Sequence, residues 1–533
     1  MFATPAAFRS RWLAPPEILF LVGVIVAWGS FVVFLGKDMS WDFRNYHWYI
    51  PYAFLHGRLG FDVSVAHQAT YYNPFLDIPF YVLATHTPSW FAIGMLGAVQ
   101  GANIVPLYFI ARSMLRPPWR KPAAALLALV GATGSLTVGL AGTSYYDNVL
   151  SLLVLGGLAA VICNRERLRD GPLADALLIS GIAGFAVGAA TGLKLPEGLY
   201  AFGFAAALAV LPGSIKRRAA RLLAGAVGGV AGVVLFAGFW FVKMYRETGN
   251  PLFPYFNQVF HSPLALQASY RDTRFIPHRW PKRLLLPILF SLHWQVSNDL
   301  PFQDIRVGLA YVISILTAPL AFFRRKDTFV DATAVGALFA FAGVSYAVWV
   351  FAFGIYRYIL ALEMLAPILI VGAIGLWPMA KYLQAAAIVL AAASIGLTTH
   401  YDILDRAPLG DPYIQASLPA INDPRHSMIL MTGEAPMGYL VPELPPQIPV
   451  LRIDGWMIQP QDGSKLTAQT RRRVQSFTGD LYIIANEYEV GRAGDALAEY
   501  GLGMRWTECK LFATNLAGPY RFCPLKHLPP KHG

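Results

Sequence analysis

PEILFLVGVIVAWGSFVVFLGKDMSWDFRNYHWY, residues 16–49, reads as a membrane span that runs directly into a polar, acid-bearing turn. The stretch from Pro16 to Gly36 is apolar and long enough to cross a hydrocarbon core of about 30 Å. Lys37, Asp38, Asp42, Arg44 and His47 follow at once. A basic flank (Arg9, Arg11) precedes the span and no small-residue cleavage site follows it, so it reads as a retained anchor rather than a removed signal peptide.

Working outward, the same apolar signature recurs at Ser89–Ala111, Pro122–Leu140, Val149–Cys163, Ala174–Leu193, Leu199–Leu211, Leu222–Val242, Val307–Phe323, Ala332–Phe353, Ile359–Leu376 and Leu383–Leu397. With the first span this predicts a polytopic α-helical membrane protein of about eleven transmembrane helices. Of the 533 residues, 14% are charged and 56% hydrophobic. A soluble domain carries about 25% charged residues, so a water-soluble enzyme is excluded. The net charge of +12 does not point to nucleic acid, because the tail from His400 is near neutral and the excess lies among the spans. There it reports topology. Arg9, Arg11, Arg112, Arg116, Arg120, Lys121, Arg165, Arg167, Arg169, Lys216, Arg217, Arg218, Arg221, Arg324, Arg325, Lys326 and Lys381 fall on one side of alternating spans, while short turns on the other hold little beyond Lys194 and Arg357. The basic side is therefore read as cytoplasmic, as is the N-terminus.

An odd number of spans places residues 37–88, 243–306 and the tail outside. The expected organisation is a membrane body over 1–399 with those two outer loops, and an extracytoplasmic C-terminal domain over 400–533. The tail alternates strand-like runs (Met428–Met431, Leu481–Ala485, Lys510–Ala513) with Pro/Gly turns and a helix at Ala493–Tyr500, which suggests an α/β or α+β fold. It holds Cys509 and Cys523. In an oxidising compartment these are disulfide candidates, worth about 3 kcal/mol; two separate buried thiols are the alternative.

The helix middles are almost free of charge, Glu363 being the plainest exception, and the polar and aromatic residues gather at the outer side. That distribution suits an outward-facing catalytic cleft better than a transport path through the bilayer. In the first outer loop, Tyr46, Trp48, Tyr49, Tyr52 and Phe54 suggest an interfacial helix, with Phe75–Leu83 a second. Two roles are open to Asp42, close to the membrane exit: a partly desolvated general base, or an N-cap for the next helix. Asp147, in the turn SYYDN, is open to two readings, a second acid that orients that base or an N-cap for the helix beginning near Asn148. Asn73 and Pro74 shape a turn.

An acid just after the first span, a long loop with interfacial helices, GLKLPEGLY at 192–200, TGNPLFPYFN at 248–257 and a helical body followed by an extracytoplasmic domain together resemble the GT-C superfamily of membrane glycosyltransferases, in its bacterial, poorly characterised branch. The resemblance implies an inverting enzyme at the outer face of the cytoplasmic membrane. Its donor would be a polyprenyl-phosphate sugar and its acceptor a glycan or glycolipid, with membrane lipid around it and no nucleic acid. Carried onto this chain, Asp42 is the base. Lys194, Arg357, Arg271 and Arg274 are candidates to hold the donor phosphate, with snorkelling or anionic-lipid binding as their alternatives. Arg44, His47, Tyr72, Asn73, Tyr146 and Asp147 are candidates to bind substrate, and Trp456 a stacking platform or a core residue. His47 and His67 could join Asp42 around a metal, but a single phosphate lacks the pyrophosphate that usually recruits a divalent cation, so no cofactor or metal is expected. Loop 243–306 is either a mobile flap over the donor or a packed cap. The competing functions are a lipid-linked saccharide polymerase or ligase, and a flippase or transporter of lipid-linked saccharides.

Overall fold

Pro15 opens the first helix, Pro15–Leu35, where its missing N–H costs nothing. Glu17 accepts the Ala14 N–H there (2.9 Å). Gly36 ends the helix with φ 98°, and a Cβ at this position would stand 2.4 Å from the Ala407 carbonyl oxygen. Only glycine lets the chain turn and the returning tail approach so closely. Strand β1 (Lys37–Asp38) then pairs antiparallel with β2 (Arg406–Ala407), clasping the exit of the first span to the start of the C-terminal region. The computed structural model describes residues 13–322 and 328–529. Arg9, Arg11, Arg324, Arg325 and Lys326, assigned above to the cytoplasmic side, lie outside the described residues.

Among the described residues seven helical stretches are long and apolar enough to cross a membrane: Pro15–Leu35, Ser89–Met114, Leu173–Leu193, Ile215–Thr248, Ala332–Ala352, Tyr356–Leu376 and Lys381–Thr398. Asp147–Cys163, Leu195–Val210 and Arg306–Leu320 are apolar but shorter. The third expected span, Pro122–Leu140, is broken into Arg120–Ala132 and Ser135–Gly139. Helix ends freed inside an apolar body need partners, and buried charges supply them. Glu363 Oε1 accepts from the Thr137 N–H (2.9 Å) and hydroxyl (2.6 Å), Asp304 accepts from the Ser135 N–H (3.1 Å), and Arg306 donates to the carbonyls of Val130 (2.6 Å) and Thr133 (2.9 Å). Glu363, the charge that looked anomalous in a helix middle, is thus the acceptor for a broken neighbour.

The basic turns converge on one end of the bundle. Glu17 pairs with Arg112 (2.9 Å) and Lys121 (2.8 Å), and Arg165 with Asp331 (3.0 Å). Arg217 and Arg221 donate to the Leu168 carbonyl (2.8 and 3.0 Å). The opposite end carries Asp38, Asp42, Lys194 and Arg357. Asp38 is 1% exposed and accepts from the Ser40 N–H (2.7 Å), the Ser144 N–H (2.7 Å) and the Ser144 hydroxyl (2.8 Å), tying the first exit to the SYYDN turn.

The C-terminal domain is α/β. Strands β3 (Ser427–Met431), β4 (Val450–Arg452), β5 (Asp480–Asn486), β6 (Leu502–Met504), β7 (Lys510–Phe512) and β8 (Tyr520–His527) form one sheet in the order β4-β3-β5-β8-β6, with β7 also on β8. The pairs β3–β4 and β3–β5 are parallel, the rest antiparallel, and helices Lys465–Gln475 and Val490–Glu499 complete it. Cys509 and Cys523 are bridged. Rather than lying on the membrane, the aromatic run of the first outer loop is buried beneath this domain: Trp48, Tyr49 and Tyr52 are 3%, 0% and 6% exposed. The Tyr413 ring stacks on Trp48 at 5.2 Å. Buried Arg58 pairs with Asp62 (2.6 Å) and donates to the carbonyls of Pro446 (2.7 Å) and Ile448 (2.8 Å), and Arg452 N–H bonds Val63 (3.0 Å), so the loop docks along β4.

Asp38 therefore has a structural job. Asp38→Ala should destabilise the protein by about 3 kcal/mol, since it leaves buried donors of a charge-assisted cluster unpaired. Asp38→Asn, which keeps an acceptor oxygen, should lose less. Thermal unfolding in detergent checks this, and a wild-type midpoint for Asp38→Ala would contradict it.

Candidate active site

Asp42 stands at the start of a π-helical turn, Phe43–His47, a geometry whose extra residue per turn is common at functional sites. The capping role open to it in the sequence is filled by Ser40, whose Oγ accepts the Phe43 N–H (3.2 Å), and Asp42 makes no cap bond. Its carboxylate is on the wall of a cavity of ≈ 860 Å³. There Oδ2 accepts from the Tyr46 hydroxyl (3.0 Å) and from Arg357 Nη1 (3.3 Å), with 15% of the side chain exposed. Burial pushes the Asp42 pKa above the ordinary carboxylate range, and the Arg357 guanidinium and Tyr46 hydroxyl pull against that rise.

Arg357 comes from the turn Tyr356–Ile359 that leads into helix Leu360–Leu376. Its guanidinium lies 4.9 Å from the Tyr145 ring centre and 5.2 Å from that of Tyr358, and its buried Nε has no hydrogen-bond partner among the described residues. Lys194 sits in extended conformation between helix Leu173–Leu193 and the turn Leu195–Gly198. Its Nζ binds Asp147 Oδ1 (2.5 Å) and the Tyr145 carbonyl (3.0 Å), 5.3 Å from the Tyr358 ring centre. Arg271 and Arg274 are on the same wall. Arg274 is forked onto Asp272 (2.7 Å), whereas Arg271 has no carboxylate partner among the described residues.

The cavity also brings His47, Tyr72 and Asn73 to its wall. His47 Nδ1 is 2.6 Å from Asp77 Oδ1. Burial pushes the His47 pKa well below its usual value and the Asp77 carboxyl well up. The Tyr72 and Tyr255 hydroxyls bond at 2.5 Å and their rings stack. Asn73 is occupied: its amide donates to the carbonyls of Gly192 (3.1 Å) and Phe236 (2.8 Å) and accepts from the Phe75 N–H (3.1 Å), joining the first loop to two helices. Loop 250–266 is a packed cap, since Asn257 Nδ2 donates to three of its carbonyls and the Lys465 N–H bonds Pro263 (2.9 Å). Its residues Pro251, Leu252, Phe253 and Tyr255 line the cavity, as does its continuation around Tyr270–Arg274.

Three candidates stand elsewhere. Arg44, two residues past Asp42, points off a different face of its turn and interacts with the Tyr520 and Tyr439 hydroxyls of the C-terminal domain. Tyr146 takes the N-cap position of Asp147–Cys163 with φ 60°. Asp147, its side chain 1% exposed, makes no cap bond and neutralises Lys194 from behind the wall. Nor do His47 and His67 gather with Asp42: no group of three His, Cys, Asp or Glu able to hold a metal ion exists among the described residues. Sequence reasoning read Tyr46 only as part of an interfacial helix and gave Tyr255 and Asp299 no place in the site, yet all three are on the wall. Helical spacing four residues from Asp42 could have pointed to Tyr46; the others come together only through the tertiary fold.

No family model and no curated protein matches the chain. A solved structure similar to it is the crystal structure of ArnT from Cupriavidus metallidurans bound to undecaprenyl phosphate, at 14% identity and a TM-score of 0.45, over 96% of this chain and 98% of that one.

Lys194 and Asp147 form a buried pair, so removing one partner strands the other's charge. Lys194→Ala should destabilise the protein by about 3 kcal/mol, and adding Asp147→Asn should recover part of that loss. A double-mutant cycle of thermal unfolding measures the coupling; strictly additive effects would contradict the pair.

Proposed function

We propose that the chain is an inverting membrane glycosyltransferase of the GT-C type, transferring a sugar from a polyprenyl-phosphate donor to a glycan or glycolipid acceptor. It would act at the outer face of the cytoplasmic membrane, with its N-terminus cytoplasmic and its C-terminal domain extracytoplasmic. The observation that carries this reading is the meeting of Asp42 and Arg357, 3.3 Å apart, on the wall of one large cavity. Arg112, Lys121, Arg165, Arg217 and Arg221 lie at the bundle's other end.

Asp42 takes the proton of the acceptor hydroxyl as that oxygen attacks the anomeric carbon. The anomeric C–O bond breaks, and its electron pair leaves with the phosphate oxygen. Burial makes Asp42 a stronger base than an ordinary carboxylate. Negative charge grows on the departing polyprenyl phosphate, and preoriented cations in a water-poor cavity stabilise it best. Arg357 can hold Asp42 through Nη1 and still offer its second amino group to the phosphate, with Lys194 and Arg271 adding charge. Because the donor carries a single phosphate, this reading assigns neutralisation to arginine and lysine rather than to a metal.

Asp42→Asn should lower transfer about 10²- to 10⁴-fold while leaving folding and donor binding intact, measured with reconstituted enzyme and radiolabelled lipid-phosphate sugar; full turnover would remove Asp42 as base. Arg357 holds the Asp42 pKa down against burial. Catalysis needs the deprotonated form, so Arg357→Gln should move the acidic limb of kcat/KM to higher pH, with the deficit greatest under acid conditions and smallest at alkaline pH. A limb that stays in place would contradict the pairing.

A further inference from the structure

We infer that the part of this cavity bounded by Trp41 and Trp456 is a saccharide subsite, in which an acceptor pyranose stacks on the open face of Trp456 and gives its hydroxyls to Asn45 and Gln68. This deepens the transfer reading above and rests on it for the word acceptor; the subsite itself rests on geometry. Trp41 immediately precedes Asp42, whereas Trp456 follows β4 in the C-terminal domain, and both are on the cavity wall. Their rings stack at 4.9 Å and 21°. His67 stacks on Trp456 at 5.1 Å and 28°, and lies nearly parallel to Trp41, 6.3 Å away at 12°. Trp41 and His67 are too close for Trp456 to lie between them. Both therefore occupy one face of its indole, and the other face is open, with Trp456 46% exposed.

The platform is held in place. The Trp456 backbone N–H donates to His67 Nδ1 (3.3 Å), and a Cβ on Gly455 would stand 2.6 Å from that nitrogen, so glycine there lets the main chain come close to the imidazole on which the indole stacks. An exposed tryptophan fixed in this way is a preorganised apolar surface whose electron-rich face attracts the C–H bonds of a sugar ring.

Beside it are polar atoms in want of partners. Asn45 is 2% exposed, and its Oδ1 has no hydrogen-bond partner among the described residues; nor does the buried Gln68 Oε1. Both residues are on the cavity wall. Buried carbonyl oxygens are nearly always paired, so these two, closed off from the cavity as the side chains stand, call for donors that a rotation of each amide toward the cavity would let a hydroxyl supply. Carbonyl oxygens repel a phosphate, which belongs with Lys194 and Arg357, and they accept hydroxyl hydrogens well. A flat apolar face next to hydroxyl-accepting carbonyls selects a ring with C–H on its face and O–H around its edge.

The test uses the full-length protein in lipid nanodiscs, with the methyl pyranosides of glucose, galactose, mannose and N-acetylglucosamine as probes and sorbitol as the open-chain control, read by saturation-transfer NMR. At least one pyranoside should show transfer to its ring C–H protons, and Trp456→Ala should cut that signal about tenfold. Gln68→Leu, which keeps the platform, should also reduce it, and carries the test alone should Trp456→Ala fail to fold. No pyranoside signal above sorbitol, or an equal signal in folded Trp456→Ala, overturns the subsite. Binding of a radiolabelled polyprenyl phosphate to the same nanodiscs separates the two claims. Pyranoside contact without polyprenyl-phosphate binding keeps the subsite and removes the transfer reading; polyprenyl-phosphate binding without pyranoside contact does the reverse.

Discussion

Bringing a carboxylate and a guanidinium out of water is costly unless each charge finds the other and further polar partners. Asp42 and Arg357, far apart in the chain, meet under that constraint at the end of the bundle opposite the basic turns. Around them, Tyr46 donates to the carboxylate while the rings of Tyr145 and Tyr358 face the guanidinium. The surrounding architecture keeps these groups in register. The β1–β2 clasp and Asp38 fix the exit of the first span against the SYYDN turn, and that turn supplies both Tyr145 and the Asp147 that holds Lys194. Asn73 binds the first outer loop to helices Leu173–Leu193 and Ile215–Thr248.

The C-terminal domain is part of the same construction. Arg58, paired with Asp62, reaches carbonyls on the far side of the interface, Trp48 and Tyr49 are buried beneath it, and Trp456 is delivered to the cavity wall. A cavity walled by helix ends on one side and by the C-terminal domain on the other suits the proposed transfer between a lipid-borne and a water-borne partner. Leu193, Trp240 and Phe241 line the first side, while Trp41 and Trp456 mark the second.

Much of the fold is legible because lipid imposes it: among the described residues, the apolar stretches proposed from the sequence fall on helix, one of them broken. The stretch at Pro122–Leu140 is misread as continuous because its break is stabilised by Glu363, Asp304 and Arg306, residues that become its neighbours only after folding. In the tail, β3, β5, β7 and the last helix follow recognisable runs, whereas β8, YRFCPLKH, escapes because Pro524 and its basic residues blur the alternation. At the site, single residues are readable and pairings are not. Asp42, Lys194 and Arg357 stand out as charges at span ends, yet nothing local joins Asp42 to Arg357 or His47 to Asp77. Arg44 is misplaced for the opposite reason, since nearness in sequence to Asp42 does not carry nearness around a helical turn.

The most direct test of the account is a structure of the protein with a polyprenyl phosphate bound. The account predicts the phosphate oxygens within about 3 Å of the Arg357 guanidinium, the isoprenoid leaving past Leu193 and Phe241, and the Asp42 carboxylate open to the remaining cavity on the Trp456 side. A phosphate seated at the basic end near Arg217 and Arg221, or one that leaves Asp42 outside the occupied cavity, would contradict it.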